Sequence, residues 1–188
     1  MTTTLSRTIR VHRPVVESEP VAPVDLAART PLPEGARLLL VDNGKPRARD
    51  LLAMLGEEMR RLLPLGSVEM VSKPSAAYPL GDEEAAEIAG RVDLAITGLG
   101  DCGACSALSL HDALLFERQG VPATVLITDV FVSNVARFAV SLGAPGYHSL
   151  VVPHPVATKS DDQLRQLARS VASAARDQLS PQGALALS

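Results

Sequence analysis

The sequence predicts an α/β protein, a three-layer doubly wound parallel sheet of about five strands, flavodoxin-like or Rossmann-like. Three observations predict it. Short apolar runs alternate with helix-periodic segments from Arg37 onward. The runs hold almost no polar residues, as strands covered on both faces should not. Each run ends in a Gly-, Pro- or polar-rich loop, at the end of the sheet where such folds bind ligands.

Residues 1–34 stand apart. Pro14, Pro20, Pro23, Pro31 and Pro33 interrupt any regular element. They read as an extended arm that either lies on the surface or wraps a neighbouring subunit. Residues 35–180 form the α/β domain, and 181–188 a short tail. Within the domain, Arg37–Val41 is the first strand. Leu51, Leu52, Leu55, Met59, Leu62 and Leu63 then repeat at helical spacing. Val68–Val71 is the second strand. A short helix follows, capped by Asp82, with Ala85, Ile88 and Ala89 facing inward. Leu94–Thr97 is the third strand, which runs into Gly98–Ser106 and then a helix to about Arg118. Ala123–Thr128 is the fourth strand and Val132–Leu142 its helix. Leu150–Val152 is the fifth. The last helix carries Leu164, Leu167, Val171, Ala175 and Leu179 on one stripe, and Asp161 at its start suits the helix dipole.

Composition narrows the function. The chain has 188 residues, 46% of them hydrophobic, enough for one domain with a core of its own. Net charge is −3 and the isoelectric point about 5.8, which argues against nucleic-acid binding. Aromatic residues are 3% and Trp is absent, which argues against stacking platforms for single strands. No apolar run approaches the ~18–20 residues of a membrane span, and the N-terminal segment lacks the apolar stretch of a signal peptide. The expectation is a cytoplasmic protein that takes a small-molecule substrate, touches neither nucleic acid nor membrane, and works as a homo-oligomer or as one subunit of a heteromer.

The sharpest motif is Gly98-Leu-Gly-Asp-Cys-Gly-Ala-Cys-Ser106. Cys102 and Cys105, the two cysteines of the chain, have CxxC spacing where a strand gives way to a helix. Unpaired amides at a helix start stabilise anions, so a thiolate there has a lowered pKa. One turn separates the two sulfurs, close enough for a disulfide. Gly98, Gly100 and Gly103 permit close approach of a ligand. They also fit G-x-G-x-x-G, a weak sign of nucleotide binding on its own. Asp101 works against a thiolate beside it unless it caps the helix or moves a proton. Half a zinc site is a further reading, but His12, His111, His148 and His154 form no close pair to complete it.

Other loops hold further candidates. Two of the three lysines, Lys45 and Lys73, follow strands and could hold a carboxylate or phosphate, with Asn43 donating hydrogen bonds; alternatively Asn43-Gly44 only makes a turn. His154 lies between two prolines at a strand end. Histidine ordinarily titrates near neutral pH, so it suits acid–base work, unless it is simply a surface turn residue. Thr128 and Asp129 end the fourth strand and are candidates for ligand contact; Arg137 is a weaker one. His111 fails on geometry. Nine helical residues turn ~900° and advance ~13 Å, which removes it from Cys102. His111 and Asp112 therefore read as structural or interface residues.

With these residues in place, the chain resembles the UGSC-motif (seleno)protein family. The resemblance rests on Gly98–Ser106 together with Val41-Asp-Asn-Gly-Lys-Pro46, Lys73-Pro74-Ser75, His111-Asp112 and Val152-Pro-His-Pro155, and spans roughly 36–157. It places Cys102 at the selenocysteine position and Cys105 at the second thiol. Ala104 stands where the family usually has Ser. A more distant similarity is to the selenoprotein subunit of glycine/betaine/sarcosine reductases. A position that accepts selenocysteine or cysteine is a reactive one, so the resemblance implies Cys102 as nucleophile and Cys105 as resolving thiol.

The expected function is therefore a thiol-dependent enzyme, an oxidoreductase or carbon–heteroatom lyase, acting on a small anionic metabolite. Catalytic candidates are Cys102, Cys105, His154 and Asp101. Substrate-binding candidates are Asn43, Lys45, Lys73, Gly100, Gly103 and Thr128. No metal ligand or bound cofactor is implied; an external dithiol reductant is the one co-reactant. Two alternatives stand beside this: a subunit with little activity alone, and a nucleotide- or metal-binding module.

Overall fold

A computed structural model describes residues 21–181. Five strands form one parallel sheet: β1 (Ala36–Asp42), β2 (Leu65–Ser72), β3 (Leu94–Gly100), β4 (Ala123–Thr128) and β5 (Ser149–Val152). Their order is β2-β1-β3-β4-β5. Of the two layered folds expected, this is the flavodoxin-like order and not the Rossmann one. Four helices connect them, α1 (Ala48–Leu62), α2 (Asp82–Ala89), α3 (Gly103–Arg118) and α4 (Val132–Ser141), and α5 (Asp161–Leu179) follows the last strand.

Alternation along the strands sends side chains to two cores. Leu38 and Leu40 of β1, Ile96 of β3, Leu126 of β4 and Leu150 of β5 pack with α1 and α5. Leu39, Val41, Ala95, Val125 and Ile127 pack with α2, α3 and α4 on the other face. Burial on both faces holds for β1, β3 and β4, whereas edge strand β2 is only partly buried.

Two differences from the sequence reading at element ends are informative. β3 continues through Gly98 and Gly100, which pair with Leu126 and Ile127 of β4; glycines that read as loop are strand because this backbone is in the ladder. Asp82 is the first helical residue and Gly81 the cap, so the carboxylate favours the dipole without capping. Ser160 caps α5 in a reciprocal box with Gln163.

Residues 21–34 contain no helix or strand but belong to the body. Val24 N–H donates to Gly143 O at 2.8 Å. A Cβ on Gly143 would meet Ala22 O at 2.2 Å, and its φ of +80° favours glycine as well. Glu117 of α3 is fully buried. Its carboxylate accepts from Arg29 Nη1 and Nη2 at 2.8 and 2.7 Å, and from the amides of Ala27 and Ala123 at 2.8 and 2.9 Å. Burial, reinforced by this carboxylate, holds the Tyr147 phenol well above its ordinary pKa. Residues 1–20 of the expected arm and 182–188 of the tail lie outside the described residues. Among those described, no helix is long and apolar enough to cross a membrane.

A cavity of about 510 Å³ opens between Val24, Leu26 and Ala27 and the turn Ala144–Tyr147. It sits beside Ala123, where β4 begins, so it is at the opposite edge of the sheet from the strand ends.

Replacing Glu117 by Gln leaves Arg29 without its counter-charge. We expect a loss of about 2–3 kcal/mol in urea unfolding. This is below the 3–5 of a fully buried pair, because Arg29 keeps a fifth of its side chain in water. A midpoint within error of wild type would show that this pair does not hold the segment down.

Candidate functional site

In a sheet of this order, the connections diverge between β1 and β3, and the loops leaving those strands bound a crevice. The cysteines lie there. Cys102 is the N-cap of α3, with extended backbone, and its Sγ accepts from Cys105 N–H at 3.1 Å. The two sulfurs are bonded to each other, with Cα atoms 5.2 Å apart, inside the ordinary disulfide range. The pair is not symmetric in exposure: Cys102 is partly exposed and Cys105 is 4% exposed.

Close packing holds this turn to the sheet. Ser106 N–H and Oγ both donate to Cys102 O, at 2.9 and 2.7 Å. A Cβ on Gly100 would meet Ser106 Oγ and Ile127 Cγ2 at 2.8 Å and Ser106 Cα at 3.0 Å. Gly100 thus serves helix–strand contact, correcting the expectation that it meets substrate. Gly103 is open: its nearest neighbour would be Asn134 Nδ2 at 3.6 Å. With Gly98 and Gly100 inside β3, the three glycines do not form the turn of a dinucleotide fingerprint.

Asp101 precedes Cys102 and is not the cap. Its Oδ1 is buried without a hydrogen bond, and Lys45 Nζ stands 3.4 Å away across the crevice. Asp101, Cys102 and Cys105 have ligand atoms within 4.8 Å of one another. Zinc ligation by them requires the reduced, deprotonated pair, since a disulfide presents no thiolate.

Two expected substrate contacts are built into the fold instead. Asn43 is 1% exposed, and its amide donates to Leu99 O at 2.9 Å and Ser109 Oγ at 3.1 Å. It sews β1 to β3 and α3, so its donors are spent. Lys73 is buried, ion-paired with Asp112, and donates to Tyr78 O at 2.9 Å. Asp112 also accepts from Leu80 N–H at 2.8 Å. A lone cation on a strand-end loop reads as surface in the sequence; its partner lies 39 residues on. The structural reading of Asp112 agrees with this pairing.

The far wall comes from β4 and β5. Thr128 is fully buried, so the ligand contact expected of it gives way to internal bonds. Its Oγ1 donates to Gly100 O at 3.3 Å and lies 3.1 Å from His154 Nδ1. Asp129 Oδ1 accepts from Val130 N–H at 2.8 Å and from His154 N–H at 3.1 Å. Phe131 meets the His154 ring edge-on at 6.0 Å between centroids. His154 itself is exposed. Arg137 donates to Asn134 Oδ1 at 3.0 Å on α4. The structure thus keeps Cys102, Asp101, Lys45, Gly103 and His154 at the sheet's carboxyl end. Ser106 and Phe131 were missed. Ser106 had a local signal, a small hydroxyl four residues into a helix, where bonding back to the i−4 carbonyl is common; Phe131 had none.

Residues 10–181 match the UGSC family. No curated protein matches significantly. Among solved structures, the chain is similar to a diflavin flavoprotein A3 from Nostoc sp., at 16% identity and a TM-score of 0.40, over 78% of this chain and 92% of that one. It is also similar to a flavodoxin-like domain from Synechococcus sp., at 13% identity and a TM-score of 0.38, over 73% and 96%.

The two glycines of the site predict opposite outcomes. Gly100→Ala should lower stability by about 1–3 kcal/mol, because the helix start must move off the strand. Gly103→Ala should be neutral or slightly stabilising, since it adds a better helix former into open space. Denaturant midpoints under oxidising conditions test both; equal midpoints for the two variants would refute the packing role of Gly100.

Proposed function

The chain belongs to the UGSC family, and from that footing we propose that it is a thiol–disulfide oxidoreductase acting on a small anionic substrate. One observation carries the reading: the bonded cysteines at the start of α3 are unequal, Cys102 partly exposed and Cys105 buried. That is the arrangement wanted of an attacking and a resolving thiol.

The cycle balances with one external co-reactant. A dithiol reductant opens the Cys102–Cys105 bond, becomes a disulfide itself and leaves two thiols. Amides at the α3 N-terminus favour the Cys102 thiolate. That thiolate attacks an electrophilic atom of the substrate and expels a leaving group. Cys105, deprotonated, then attacks the Cys102 sulfur; the disulfide re-forms and the bound fragment departs with its electron pair. Two protons, released by the thiols, end on the leaving group and the fragment. His154 is the acid–base group that carries them. Lys45 is the cation offered to an anionic substrate, and its pairing with Asp101 offsets a charge that would oppose the thiolate.

Two measurements test the reading. In reduced Cys105→Ser protein, the rate of iodoacetamide alkylation against pH should give a Cys102 titration well below the ordinary ~8.5. A titration at or above that value would sink the proposal. Separately, Cys102→Ser should abolish reaction of the reduced protein with an organic hydroperoxide, while Cys105→Ser should still react once and stop as the sulfenic acid.

A further inference from the structure

We infer that Thr128 is a positioning residue that fixes which nitrogen of His154 carries the proton. Its buried hydroxyl touches two groups, Gly100 O at 3.3 Å and His154 Nδ1 at 3.1 Å. A hydroxyl has one proton to give. The Gly100 carbonyl can only accept, so that contact uses the proton. With the proton given to Gly100 O, the bond to His154 runs the other way, with Nδ1–H donating to Oγ1. Were the hydroxyl turned to the imidazole, its oxygen would face the carbonyl oxygen with no proton between them.

The consequence falls on the other ring nitrogen. In neutral imidazole one nitrogen donates and the other accepts. With Nδ1 protonated, Nε2 holds the free lone pair, and among the described residues it has no hydrogen-bond partner. Nε2 is thus the atom that takes or returns a proton. The remaining neighbours leave this choice to Thr128. The Asp129 carboxylate is engaged by the backbone amides of Val130 and of His154 itself, not by the ring. Phe131 presents an apolar ring edge-on. Because the same hydroxyl is tied to Gly100, two residues before Cys102, the imidazole is registered to the strand end that carries the sulfur.

The proposal deepens the reading of His154 as the acid–base group, and it is tested without any reaction. Long-range ¹H–¹⁵N spectra of the full-length oxidised protein, recorded at a pH where His154 is neutral, report its tautomer directly. Wild type should show the Nδ1–H form. Thr128→Val, close in shape but lacking the hydroxyl, should shift the population toward Nε2–H, and Thr128→Ser should restore Nδ1–H. An Nε2–H ring in wild type would overturn the inference, even if the valine variant failed to fold. An unchanged Nδ1–H ring in Thr128→Val would overturn it too. Cys102 is blocked as a disulfide throughout, so failure here is distinct from a Cys102 that fails the alkylation test.

Discussion

The site depends on how closely the first turn of α3 approaches the end of β3. Gly100 has no side chain, Ser106 rests against its backbone, and Ser106 bonds twice to the Cys102 carbonyl. That contact places the helix start, and with it the amide dipoles, at a fixed height over the sheet. Cys102 caps the helix because the chain must leave an extended strand and enter a helix within two residues. A sulfur in that position meets unpaired N–H groups as a matter of backbone geometry.

Around that contact, α3 acts as the beam of the molecule. Near its middle, Asp112 takes up Lys73 and the Leu80 amide, drawing the β2–α2 connection inward. Near its far end, Glu117 takes up Arg29 and the amides of Ala27 and Ala123. Both carboxylates are buried and both oxygens of each accept hydrogen bonds, the condition under which a buried charge is tolerable. The weak amphipathic pattern on this helix follows: most of its length is buried, and Asp112 and Glu117 point at loops and not at water.

The order of elements was legible because strands covered on both faces and helices with one apolar stripe leave different periodicities. β3 was read three residues short because Gly98 and Gly100 say nothing about strand to a pattern based on side chains. The place of the cysteine pair at a helix start was legible, as was their closeness. Lys73 and Asn43 were misread for a shared reason. Each is polar at a strand end, but its partners, Asp112 for one and Leu99 and Ser109 for the other, are supplied by elements tens of residues away. His154 and Thr128 are both visible as candidates, yet nothing local in the sequence joins residues 26 positions apart at the ends of neighbouring strands.

The 510 Å³ hollow lies where β4 begins, while the sulfurs lie where β3 ends, about 20 Å away along the strands. Screens that score occupancy and screens that score thiol labelling would therefore return different chemotypes. A tight binder lodged against Tyr147 would report on how the N-terminal stretch sits and leave the Cys102–Cys105 disulfide untouched.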